Sequence, residues 1–248
     1  MHTGKVLVGN SGDRVYLQDN KVIKEAGVYP IKFKQQMDWL QNCTHPNFIK
    51  INPISDTSFE MKKYPTWYDK ICEQPLIKSI DQLDNLIHIV NDFDGYGADV
   101  DVRSYLDKLE GRTGYKYEGE LNASSGWGFV HGDLTISNIL YDKDFIFIDP
   151  RGTEEQNYYD YGKLMQSFVM KYEAHIYNER NSKYLKFCRE AENIMYEWYD
   201  EYQLKFFLAV HSLGAVPFFE LNERYELAGM FLKKGHELFD ELEIKYSK

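Results

Sequence analysis

The sequence predicts an α+β chain in two parts, a small β-rich N-terminal lobe and a larger, mostly helical C-terminal lobe. Three observations predict it. Up to about residue 64, short β-prone runs alternate with turn clusters; from Pro65 onward, apolar residues recur at helical spacing; and one strand-like hairpin near residue 140 interrupts the helical part. The 248 residues suffice for one large domain or two lobes, each with a core.

In the first part, residues 5–8, 14–17 and 21–24 are β-prone runs separated by the turn clusters GNSGD and QDN. A helix follows, with Pro30 in its first turn and Phe33, Met37 and Leu40 spaced i, i+4, i+7. Two further strands are expected at 48–51 and 58–61, the second running into KKYP. The domains are therefore set at 1–64, a sheet with one helix, and 65–248. In the second part, segments 79–91, 103–110, 156–177, 182–203, 204–214 and 221–243 carry the helical period. The hairpin is expected from runs 139–141 and 145–148 flanking Asp142-Lys143-Asp144.

Composition narrows the function classes. Hydrophobic content of 43% with 27% charged residues is that of a soluble globular chain, and a net charge of −10 disfavours nucleic acid and anionic membranes as partners. A few local Lys or Arg residues still suffice for an anionic ligand. Cys43, Cys72 and Cys188 lie far apart without metal-ligand spacing, which fits a reduced protein. The opening MHTGKVLVGN lacks a signal-peptide pattern. The most apolar run, 206–219, contains His211, Gly214 and Pro217 and reads as too short and too broken to span a bilayer. Together these features lead us to expect a cytoplasmic protein.

The chemistry gathers in FVHGDLTISNILYDKDFIFIDPRG, residues 129–152, which sets His131, Asp133, Asn138 and Asp149 around the hairpin. If the hairpin pairs symmetrically about the point between Lys143 and Asp144, Asn138 and Asp149 oppose each other, with Cα atoms about 4.5–5.5 Å apart. An amide oxygen and a carboxylate suit a hard cation, and Mg²⁺ takes one or two such ligands while keeping waters and substrate phosphates. Asp133, in the loop leading to the same end, is then available as a base. Asp and Asn residues at hairpin ends serve equally as turn and capping residues.

The order His-x-Asp-x4-Asn, followed by a strand ending Ile-Asp, resembles the catalytic loop and metal aspartate of protein-kinase-like phosphotransferases. HGDLTISN has the Gly-Asp form of aminoglycoside phosphotransferases and choline kinases. HGDL with SNIL, IDPRG and YDYGKL is most similar to phosphotransferase-like proteins of bacterial capsule and surface-polysaccharide pathways. The resemblance implies a bilobal kinase-like fold, ATP and Mg²⁺ as cofactors, and a small-molecule acceptor. It implies that Asp133 takes the proton of a substrate hydroxyl, that Asn138 and Asp149 hold Mg²⁺, and that His131 belongs to the catalytic loop, which it braces by hydrogen bonding. Protein kinases themselves are disfavoured, since the chain has no DFG and no APE segment. A nucleotide-binding regulator without turnover is the alternative.

The first lobe offers matching parts. GNSGD, with Gly9, Ser11 and Gly12, is either a plain hairpin turn or a loop that lays backbone N–H groups against phosphates. Lys24, ending KVIK, is similar to the kinase lysine that contacts the α- and β-phosphates. The helix residue expected to pair with it is Gln36 rather than glutamate; it can hydrogen-bond Lys24 but supplies no charge, so another carboxylate must do that work or the helix register differs. Met61 and Tyr64, at the end of a strand before Pro65, are placed to offer backbone groups to adenine. Asp160 in YYDYGKL is either a helix N-cap or an anchor for the catalytic loop. Arg151 either pairs with Glu154 or Glu155 or binds an anionic acceptor. DFDGYGADVD, residues 92–101, lacks the acidic positions of a calcium loop and reads as a solvated loop.

Overall fold

Five strands, β1 (Lys5–Val8), β2 (Arg14–Leu17), β3 (Lys21–Glu25), β4 (Ile51–Ser55) and β5 (Ser58–Lys62), form an antiparallel sheet in the order β1-β2-β3-β5-β4. The structure, a computed structural model, describes residues 5–8, 12–93, 101–119, 121, 131–151 and 158–246. The chain divides into two units: Met1–Lys70 with Ser137–Gly152, and Ile71–Ile136 with Thr153–Lys248.

In the first unit, helix α1 (Pro30–Asn42) buries Phe33, Met37 and Leu40, the three residues of the apolar period, and Phe33 stacks on Phe59 of β5 at 5.3 Å. Pro at the first helical turn loses no intrahelical bond there. The expected strand 48–51 lies elsewhere: β4 spans Ile51–Ser55. The backbone around Phe48 is taken up instead by β7 (Phe145–Phe147), with Ile49 N–H donating to Phe147 O at 3.0 Å and Phe147 N–H to Asn47 O at 2.7 Å. β4 can hold Pro53 because it is an edge strand with a register shift there.

β7 pairs with β6 (Ile139–Tyr141) in an antiparallel hairpin, and the buried Trp67 meets Phe145 edge-on at 5.2 Å. Trp67 begins α2 (Trp67–Glu73), a seven-residue helix too short to reveal a period in the sequence. Its start is fixed by Thr66, whose Oγ1 accepts the Asp69 N–H at 3.1 Å.

The second unit is helical: α3 (Leu76–Asn91), α4 (Arg103–Thr113), α5 (Tyr158–Met170), α6 (Tyr172–Ile176), α7 (Ser182–Trp198), α8 (Glu201–Leu221) and α9 (Tyr225–Tyr246). The segment expected as one helix over 156–177 breaks at Lys171, whose φ of 53° is left-handed. The α7–α8 boundary falls at Asp200, not after residue 203, because the Asp200 carboxylate caps α8 by accepting the Gln203 N–H at 2.8 Å. α8 then runs unbroken through Gly214 and Pro217 for 21 residues, long and apolar enough to cross a membrane by length and composition. It packs instead against α9, α5 and α4, with Phe206, Phe207, Leu208, Leu213 and Phe219 fully buried. That burial identifies it as a core helix.

One close approach positions the site. A Cβ on Gly162 of α5 would stand 2.5 Å from the Phe207 Cβ, so only glycine lets α5 lie this near α8.

Candidate active site

The centre of the first unit is a buried lysine. Lys24 lies in β3 directly across from Val15 of β2 and Phe59 of β5, so its side chain shares their face of the sheet, the face covered by Phe33. Its ammonium donates to Asp149 Oδ1 at 2.7 Å and Gln36 Oε1 at 3.1 Å, and lies 3.4 Å from Asp13 Oδ2. Lys24 is only 6% exposed. Burial works against its charge, but Asp149 and then Asp13 outweigh it, and the pKa rises above its ordinary value. Gln36 also donates from Nε2 to Pro150 O at 2.9 Å, tying the lysine's neighbour to the residue after Asp149.

The hairpin register differs from the symmetric expectation. Ile139 pairs with Phe147 and Tyr141 with Phe145, so Lys143 alone sits at the tip; Asn138 O accepts the Ile148 N–H at 3.0 Å. Asn138 therefore faces Ile148, and Asp149 lies one residue further on. A turn of three residues rather than an even number shifts the pairing by one. Asn138 closes the short 3-10 turn Ile136–Asn138, while Asp149 leaves the strand in a left-handed conformation, φ 58°. Asp is among the residues that tolerate this region, and the change of direction aims its carboxylate at Lys24. Among the described residues, no three His, Cys, Asp or Glu side chains converge as a metal cluster. The donors Asn138 and Asp149 are hard oxygens, the ligand type Mg²⁺ takes, and the Asp149 side chain is 35% exposed.

In the second unit, the loop from His131 is held from α5. Asp160, fully buried, accepts the His131 N–H at 2.6 Å and the Gly132 N–H at 2.8 Å. As the third residue of α5 its charge also lies at the positive end of the helix. Of the two readings of Asp160, the loop anchor is the one found. His131, also fully buried, accepts the Asp133 N–H on Nδ1 at 3.2 Å, and Asp133 O accepts the Thr135 N–H at 2.9 Å. Further on, Ser167 Oγ accepts the Ile136 N–H at 3.1 Å and donates to the buried Glu173 at 2.9 Å. Asp133 itself is 37% exposed on its side chain and forms an ion pair with Lys163 of α5, 3.0 Å away.

The remaining expected residues belong to the first unit. Gly12 has φ +80° and abuts Val28; Gly9 and Ser11 lie outside the described residues. Met61 in β5 is buried on the Lys24 face, across from Val22, and Tyr64 carries the Lys62 ammonium over its ring at 4.6 Å. Arg151 is exposed, and Glu154 and Glu155 lie outside the described residues. Sequence reasoning missed Asp13 and Lys163. The signal for Asp13 was available: with Val15 paired to Lys24, a residue two positions earlier points to the same face. For Lys163 the signal was its place one helical turn after Asp160.

No family model matches the chain, and no curated protein matches its sequence. Solved structures do match. A thermostable mutant of aminoglycoside phosphotransferase APH(4)-Ia aligns with a TM-score of 0.61 at 10% identity, over 96% of this chain and 94% of that one. The chain has the two-part kinase-like fold. A choline/ethanolamine kinase family protein from Mesorhizobium loti aligns at TM-score 0.59 and 11% identity, covering 97% of this chain and 90% of that one. A further variant of the thermostable APH(4)-Ia mutant, in ternary complex with ADP and hygromycin B, gives 0.59 at 10% identity, over 95% and 92% of the two chains.

Proposed function

We propose that this chain is an ATP- and Mg²⁺-dependent phosphotransferase that moves the γ-phosphoryl group to a hydroxyl of a small molecule, a sugar or polar metabolite. The observation that carries the reading is the 2.7 Å bond between Lys24 and Asp149, residues 125 apart in sequence that both belong to the resemblance. The kinase-like fold supports it, as do neighbours whose structures contain ADP or AMP-PNP with hygromycin B.

In this reading Lys24 steadies the α- and β-phosphates, and the backbone near Met61 and Tyr64 meets adenine. Asn138 and Asp149 would hold Mg²⁺, whose chemistry there would be to neutralise charge on the phosphates. Asp133 accepts the proton of the acceptor hydroxyl. The hydroxyl oxygen bonds to the γ-phosphorus, the bond to the β–γ bridging oxygen breaks, and ADP leaves. His131, Asp160 and Ser167 act on geometry alone, by fixing the loop that carries Asp133. The motif set HGDL, SNIL, IDPRG and YDYGKL supports a place in building bacterial capsule or surface polysaccharide, and Arg151 supports an acceptor with an anionic group.

The test is transfer of labelled γ-phosphate from ATP to a panel of sugars, sugar phosphates, aminoglycosides and choline, with binding of MgATP measured separately. The reading expects transfer to at least one acceptor, abolished in Asp133→Asn with MgATP binding spared. Equal turnover by the variant would remove Asp133 from the role of base. MgATP binding without transfer to any acceptor would favour a regulator, and an Arg151→Ala variant with unchanged acceptor KM would count against the anionic subsite.

A further inference from the structure

Lys24 has three polar partners, and they are not equivalent. Asp149 is the one the proposed reading also gives to the metal, and a carboxylate that shares its lone pairs with a divalent cation is a poorer acceptor for an ammonium. Gln36 carries no charge and spends its amide N–H on Pro150 O. Asp13 remains. It is 6% exposed, with Oδ2 facing the ammonium at 3.4 Å and Oδ1 accepting the Gly27 N–H at 2.9 Å.

The backbone locks it there. A Cβ on Gly27 would stand 2.1 Å from Gly12 O, so the chain after β3 presses on the residue before Asp13 in a way that only glycine permits. The carboxylate is thus fixed by the start of β2, an inner strand of the sheet, and by the Gly27 amide. A carboxylate held in a nearly dry site interacts strongly with a buried ammonium and holds it in place.

We propose that Asp13 is the positioning carboxylate of Lys24, holding the ammonium in place from the start of β2 when Asp149 turns to the metal, while helix α1 contributes only the neutral Gln36. This rests on the nucleotide reading of the first unit. It predicts that the charge can be moved: Gln36 Oε1 already lies 3.1 Å from the lysine, so Gln36→Glu supplies a carboxylate from the helix instead.

The experiment compares wild type, Asp13→Asn, and Asp13→Asn/Gln36→Glu with two readouts. One is MgATP affinity by calorimetry. The other needs no nucleotide: the rate of Lys24 acetylation by acetic anhydride at one fixed pH with Mg²⁺ present, read by mass spectrometry, which reports how firmly the ammonium is held. Asp13→Asn keeps the shape and an acceptor for the Gly27 N–H. It is expected to weaken MgATP binding about tenfold, the loss of one charged hydrogen bond, and to speed Lys24 acetylation by loosening the side chain. Adding Gln36→Glu is expected to recover most of both. A purely structural role in the Gly27 turn would not be rescued from residue 36. If Asp13→Asn alone does not fold, recovery of a folded chain by Gln36→Glu supports the assignment and its failure overturns it. Unchanged acetylation in Asp13→Asn overturns the Asp13 assignment, whereas a wild type that does not bind MgATP overturns the nucleotide reading.

Discussion

Lys163 places its ammonium 3.0 Å from Asp133 Oδ1, one turn along α5 from Asp160, which holds the backbone of the same loop. One helix face therefore fixes both the path of the loop and the direction of its carboxylate. The Lys163 side chain is 12% exposed, so this pair is far less screened than a surface ion pair.

Replacing Lys163 with Met removes the ammonium and keeps the stem. If the proposed function holds, kcat for phosphoryl transfer should fall about tenfold to a hundredfold, because Asp133, the proposed base, loses its orientation. MgATP affinity should stay within about twofold, well under the 1.4 kcal/mol of a tenfold change. Steady-state kinetics with calorimetry separates the two, and an unchanged kcat would show that Asp133 holds its place unaided.

Asp160→Ala strips the acceptor from two buried N–H groups. At roughly 1–3 kcal/mol for each unsatisfied group, a loss of about 3 kcal/mol is expected. The midpoint of thermal unfolding should drop by about 6–12 °C. Asp160→Asn keeps one acceptor oxygen and should lose less. Urea denaturation of the two variants checks the order, and equal losses would mean that the charge rather than the second acceptor matters.

Gly162→Ala inserts a methyl group where Phe207 leaves 2.5 Å. Overpacking of this kind costs about 1–3 kcal/mol. The same substitution at Gly111 or Gly214, where an added Cβ meets no atom within 4 Å, provides the control and should not destabilise.

The raised pKa of Lys24 sets a pH dependence with a definite sign. Burial opposes the charge, Asp149 and Asp13 outweigh it, and the folded value exceeds the ordinary 10.5. The stabilisation by these pairs is therefore fully present below the unfolded value and is lost as pH rises through the folded one. Unfolding free energies of wild type and Lys24→Met should differ by a constant amount from about pH 7 to 9 and converge only in strongly alkaline solution. Convergence already near pH 8 would show that the carboxylates do not outweigh burial.

Much of this was legible in the chain itself. The α1 triplet Phe33, Met37, Leu40 gave its buried face because helical period alone decides which residues point inward. Lys24, Asp133, Asn138, Asp149 and Asp160 were all visible as residue types at telling spacings. α2 was invisible because seven residues hold less than two full periods. The strand expected at 48–51 was misplaced because β-prone Phe48 found its backbone partners in β7, nearly a hundred residues away in sequence. α8 passed through Pro217 because burial against α9 and α5 outweighs a local breaker.

The sequence by itself determined the two-part composition, the amphipathic helices and the residues able to do the chemistry, since these depend on local period and side-chain type. Only the tertiary structure decided their partners. Register put Asn138 opposite Ile148, a left-handed turn sent Asp149 to Lys24, and sheet pairing brought Asp13 to the same ammonium. The physical reason is common to all three. A contact between residues distant in sequence depends on register and backbone direction, and a shift of one residue reverses the face on which a side chain lands.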